Sequence, residues 1–177
     1  MAKKAKPRVL ILSDMWGKQR MDWLQHYTDA LKPHFKVDFK DCSELAEIDL
    51  PIFVEDALHY EYVRWGIDIA VKNLSKETQE YAAIIGVSMG GTIGWKALLR
   101  GRKTRHFIGI SATRLRYETK KPDCNIKLYY GADDEFKPDD AWKERLGIQM
   151  TVFEGKGHHV YYESLLARLV CRQVADE

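Results

Sequence analysis

Cysteine is scarce in this chain of 177 residues, which holds only Cys42, Cys124 and Cys171. An odd number, widely spaced and without a C-x-x-C pair, excludes a disulfide framework and a zinc site, and fits a reducing compartment best. A surplus of either charge is also missing. Lys and Arg total 28 against 26 Asp and Glu, for a formal net charge of +2. Nothing in that balance marks a nucleic-acid binder, which needs a basic face and a groove-fitting element. No apolar run nears the roughly 18 residues of a membrane span. Behind Lys3, Lys4, Lys6 and Arg8 the apolar run is only Val9 to Leu12, shorter than a secretory signal core, and no small-residue cleavage site follows. Residues 1–7 read as a basic tail, 8–177 as one domain, and the protein as cytoplasmic, with neither nucleic acid nor membrane as partner. Repeats, low-complexity segments and linkers are absent too, and the length is short of two ordinary domains.

What is present alternates. Short apolar or alternating runs at 8–12, 35–39, 81–87, 106–110, 126–130 and 148–153 read as strands, the second of them an edge. Helical spacing marks 19–32, 54–74, 92–100, 139–146 and 160–174, with Leu165, Leu166, Leu169 and Val170 expected to be buried on the last. Residues 41–51 read as a long acidic loop. Strands alternating with amphipathic helices predict an α/β architecture, a doubly wound and mostly parallel sheet of about six strands flanked by helices.

The third strand runs into Gly86-Val87-Ser88-Met89-Gly90, a G-x-S-x-G pattern passing from strand through a tight turn into a helix. The glycines leave room where a Cβ would strike a neighbour, and the helix start behind Ser88 offers free N–H groups to developing negative charge. A serine hydroxyl needs a base, usually histidine, and the histidine needs a carboxylate to orient it. In a parallel sheet such groups come from loops at the carboxyl ends of strands. Two such loops supply candidates. One is Gly131-Ala132-Asp133-Asp134-Glu135, and the other is Glu154-Gly155-Lys156-Gly157-His158-His159.

Here the sequence resembles the α/β-hydrolase family, from about Arg8 to the last helix. The order serine, acid, histidine is the family's. Its acid turn, a glycine with Asp at the third position after it, selects Asp134 over Asp133. Its Gly-His turn before a final helix selects His158 over His159. The resemblance implies a single-domain α/β-hydrolase fold in which Ser88 attacks a carbonyl carbon, His158 relays the proton and Asp134 orients His158. Activity should then rise as His158 loses its proton. One oxyanion donor would be the Met89 N–H.

The second donor should come from the loop after the first strand. There the chain has Ser13-Asp14-Met15-Trp16-Gly17 in place of the family's His-Gly-x-Gly, and the Met15 N–H is assigned, with Trp16 as the neighbouring alternative. Asp14 is unfavourable so close to an oxyanion unless its side chain turns away. Residues 111–125 are too short for a lid domain, and the family's first two strands are absent.

The implied activity is hydrolysis of a small-molecule ester or thioester of a small to medium acyl group, with no cofactor or metal. Other readings are a non-catalytic binding protein on the same fold, or a peptidase, perhydrolase or acyltransferase using the same three residues. The basic stretch Arg114, Arg116, Lys120 and Lys121 reads as a solvated loop, or else as an attractor of anionic substrates. Tyr60, Tyr62 and Trp65 read as helix packing, and His26, His34, His59 and His106 as structural or solvated.

Overall fold

Val9, Leu10, Ile11 and Leu12 are all fully buried, which a strand achieves only when both faces of its sheet are covered. In the computed structural model, which describes residues 5–176, they form β1 (Arg8–Leu12). The other strands are β2 (Lys36–Lys40), β3 (Tyr81–Val87), β4 (Thr104–Ile110), β5 (Asn125–Gly131) and β6 (Gln149–Phe153). All pair in parallel in the order β2-β1-β3-β4-β5-β6, the six-stranded sheet expected from sequence, with β2 at an edge. Residues 1–4 of the expected basic tail lie outside the described residues.

Period-two alternation divides each strand between two cores. Leu10, Leu12, Ile84, Phe107, Leu128 and Tyr130 face one side. That side is covered by α4 (Ile67–Lys76), α5 (Met89–Leu99) and α6 (Asp140–Leu146). Val9, Ile11, Ile85, Ile108 and Tyr129 face the other, covered by α1 (Leu24–Leu31) and α7 (Ser164–Ala175). Among the described residues no helix is long and apolar enough to cross a membrane.

Several elements differ from the sequence expectation. Residues 18–22 are all exposed and have no buried face to stabilise a helix. The helix expected over 19–32 therefore becomes a 3₁₀ turn, Gly17–Gln19, and then α1, whose buried Tyr27 and Leu31 continue from Trp23. The acidic loop hides α2 (Cys42–Leu45), capped by the Asp41 carboxylate, which accepts from the Ser43 and Glu44 N–H groups. Asp41-x-x-Glu44 is a capping-box-like signal that could have revealed it.

The helix expected over 54–74 is continuous. It runs through α3 (Glu55–Glu61), a π-helical stretch (Tyr62–Gly66) and α4. The wide turn changes which side chains face inward: Tyr62 is fully buried, whereas Tyr60 and Trp65 stay exposed. Only one of the three aromatics expected to pack does so fully.

The last helix is also divided. A 3₁₀ turn, His158–Tyr162, buries Val160 and Tyr161, and α7 restarts at Ser164 with a new inward face of Leu166, Ala167, Val170, Cys171 and Val174. Leu165 and Leu169, expected to be buried, are exposed because that restart turns them outward.

Candidate active site

Strand β3 ends at Val87, and α5 begins at Met89, leaving Ser88 alone on the turn at φ 51° and ψ −114°. A non-glycine residue at positive φ stores strain of about 1–3 kcal/mol, held only where surrounding structure fixes it. Packing fixes it here. The turn lies so close to the β1 loop that a Cβ on Gly90 would sit 2.3 Å from the Ser13 carbonyl oxygen. The Ser88 N–H donates to the Ile110 carbonyl at 2.9 Å.

The loops after β5 and β6 meet beside this turn. The Asp133 N–H donates to the Lys156 carbonyl at 2.9 Å, and the Ala132 N–H to the Phe153 carbonyl at 2.9 Å. A Cβ on Gly131 would lie 2.1 Å from the Lys156 oxygen, so only glycine permits the two loops to close up. The result is a line of three side chains. Ser88 Oγ is 3.0 Å from His158 Nε2, and His158 Nδ1 is 3.1 Å from Asp134 Oδ2. The other carboxylate oxygen of Asp134 accepts the Phe136 N–H at 2.9 Å, and the Phe136 ring stands edge-on to His158 with centroids 5.0 Å apart.

Asp134 is buried and Asp133 exposed, so the acid in the line is Asp134. His159 stands outside it, with its ring 5.4 Å from that of His158. Its pKa is lowered by burial first and by the neighbouring His158 second.

The β1 loop also approaches the serine. Asp14 is 1% exposed, with one carboxylate oxygen accepting the Trp16 N–H at 3.0 Å and the other the Tyr161 hydroxyl at 3.1 Å. Burial pushes its pKa up to about 6 against the opposing pull of those hydrogen bonds. Because Asp14 holds the Trp16 N–H, the Met15 N–H is left in this loop without an acceptor among the described residues. The Met89 N–H opens α5, where first-turn donors have no partner within the helix. Sequence reasoning found Asp14 a problem. The structure makes it a tie, since Tyr161 lies on the same turn as His158 and in turn accepts the Tyr27 hydroxyl at its carbonyl, 3.1 Å away.

A cleft of about 390 Å³ opens above Ser88 and His158. Met15 and Trp16 line it beside them, and Arg114 and Arg116 of the basic stretch form part of its wall, whereas Lys120 and Lys121 do not. His59, on α3, also reaches the cleft, a position that its helical spacing alone did not reveal. Chemically, the line of hydroxyl, imidazole and buried carboxylate can deprotonate a nucleophile, and two backbone donors beside it can receive negative charge.

No family model matches the sequence, and neither does any curated protein. Solved structures do match in shape. A predicted CIB-like hydrolase from Thermoplasma acidophilum superposes with a TM-score of 0.70 at 19% identity, over 100% of this chain and 90% of that one. An esterase domain from Rhodothermus marinus gives 0.65 at 12%, over 99% and 88%. A Xanthomonas campestris protein described as an a/b serine hydrolase without lid gives 0.62 at 14%, over 99% and 84%. At these identities the likeness is one of fold: the chain has the α/β-hydrolase fold, as a single small domain.

Proposed function

We propose that the protein is a serine hydrolase that cleaves carboxylic esters or thioesters of small to medium acyl groups through an acyl-enzyme on Ser88. The observation carrying this reading is the Ser88–His158–Asp134 line on the wall of an open cleft, with spacings of 3.0 and 3.1 Å. In the proposed cycle His158 Nε2 takes the Ser88 proton as Oγ attacks the carbonyl carbon. Asp134 keeps the other ring nitrogen protonated and stabilises the imidazolium. The tetrahedral oxyanion is received by the Met89 and Met15 N–H groups; the hydrogen bond of the Trp16 N–H to Asp14 supports Met15 over it as the second donor.

His158 then gives its proton to the departing alcohol or thiol. In the second half it takes one from water as the water attacks the acyl carbon; the bond to Ser88 Oγ then breaks, His158 returns that proton to Oγ, and the acid leaves. The three neighbours' described activities, hydrolase and esterase, support the same reaction class. The free cysteines, two of them buried, support a cytoplasmic location.

The test is intact-mass analysis after treatment with an alkyl fluorophosphonate. One adduct per chain is expected on the parent protein and none on Ser88→Ala. Folded protein that takes no adduct and turns over no p-nitrophenyl ester would refute the proposal.

A further inference from the structure

The cleft wall contains an arginine with no structural task. Arg114 lines the same cleft as Ser88 and is half-buried. Its backbone is fixed, with its N–H on Thr92 Oγ1 at 3.3 Å, while the preceding Thr113 N–H reaches the Ser88 carbonyl at 3.4 Å. Its guanidinium, by contrast, makes no hydrogen bond or ion pair among the described residues and faces the Tyr117 ring at 5.1 Å.

The neighbouring Arg116 is occupied. It donates to the Thr113 and Phe136 carbonyls and to the Tyr117 hydroxyl, so it stiffens the wall and adds positive charge. Four carboxylates also line the cleft: Asp14, Glu55, Asp56 and Glu135. Asp14 is buried and already holds the Trp16 N–H and the Tyr161 hydroxyl. The other three are exposed, and Glu55 and Asp56 sit in the first turn of α3, where the positive end of the helix already answers them. None forms an ion pair with Arg114.

A guanidinium on a cleft wall with no protein partner has its planar fork of donors free, and that fork matches a carboxylate in a bidentate pair. We propose that the scissile ester carries a carboxylate elsewhere in the molecule, and that Arg114 receives it. The proposal rests on the hydrolase reading and names its substrate class. Of the three arginines lining the cleft, Arg20 stacks on the Trp16 ring and Arg116 is hydrogen-bonded, so the single free fork of Arg114 suits a singly charged carboxylate; the four acids around the cleft disfavour a group of higher negative charge such as a phosphate.

Two matched pairs of esters test it. Mono-p-nitrophenyl glutarate against p-nitrophenyl butyrate places the carboxylate on the acyl side. 4-Acetoxybenzoate against phenyl acetate, each corrected for its uncatalysed hydrolysis, places it on the alcohol side. In one pair the parent protein should prefer the anionic ester by kcat/KM. Arg114→Gln should lower that anionic-to-neutral ratio roughly tenfold or more, as expected for a lost charged hydrogen bond, and Arg114→Lys should retain part of it. The ratio is unaffected by the fraction of variant that folds. A ratio unchanged in Arg114→Gln, or no anionic preference in either pair, overturns the carboxylate assignment while leaving the hydrolase reading intact. No turnover of any of the four esters overturns this proposal, and, where the folded protein also takes no fluorophosphonate adduct, the hydrolase reading with it.

Discussion

Ser88→Ala is expected to lower kcat for an activated ester by about 10⁴- to 10⁶-fold, the range found when a nucleophile of this kind is removed. The residual rate should come from the two backbone donors and from binding alone. Ser88 sits at φ 51° and ψ −114°, a conformation whose strain glycine escapes. Ser88→Gly should therefore unfold at higher denaturant than Ser88→Ala, by about 1 kcal/mol once glycine's extra chain entropy is counted. Kinetics and urea melts on the two variants check both halves. If Ser88→Ala keeps more than a hundredth of the parent rate, Ser88 is not the nucleophile.

Asp14→Asn is expected to stabilise the protein at neutral pH, with a dependence on pH that identifies the cause. Native Asp14 binds its proton up to about pH 6, whereas the unfolded chain releases it near the ordinary aspartate value of 3.8. Between those values the native state holds more protons, so stability falls as pH rises and stays lowered above pH 6. The loss corresponds to about 3 kcal/mol at pH 7. Asparagine never carries the charge. Its amide oxygen can still accept the Trp16 N–H, and its NH₂ can donate to the Tyr161 oxygen.

Urea midpoints measured at pH 4, 5, 6 and 7 should diverge steadily between parent and variant, with Asn ahead at pH 7. Parallel curves would mean that Asp14 does not titrate in this window. Asp14→Ala should behave oppositely and destabilise, since it leaves the buried Trp16 N–H and Tyr161 hydroxyl without their acceptor.

The sheet was legible because its inner strands are buried on both faces and read as apolar runs, as at Val9 to Leu12, while the edge strand β2 reads as an alternation. The meeting of Ser88, Asp134 and His158 was legible for a topological reason, since each follows a strand directly and parallel strands deliver their carboxyl ends to one edge. What escaped depends on packing that no single segment records. Leu165 and Leu169 have the spacing of a buried face, but the break at Glu163 resets the helix and turns them outward. Tyr60 and Trp65 are displaced by the π turn in the same way. Asp14 looked like a liability because its partner, Tyr161, lies 147 positions away. Arg114 could be grouped with Lys120 and Lys121 by charge, but only the folded loop separates the one that enters the cleft from those that do not.

The place of β1 between β2 and β3 has a consequence for how the chain is made. Val9 pairs with Val37 on one side and with Ala83 on the other, so one edge of β1 must await a partner more than seventy residues behind it. At roughly 5–20 residues per second that interval is on the order of 4–15 s. Throughout it β1 is an apolar segment with an open edge, the form most prone to wrong pairing. The sheet thus cannot grow past β2 and β1 until β3 has been synthesised, and a nascent chain halted before Tyr81 is expected to need a chaperone's cover to remain in solution.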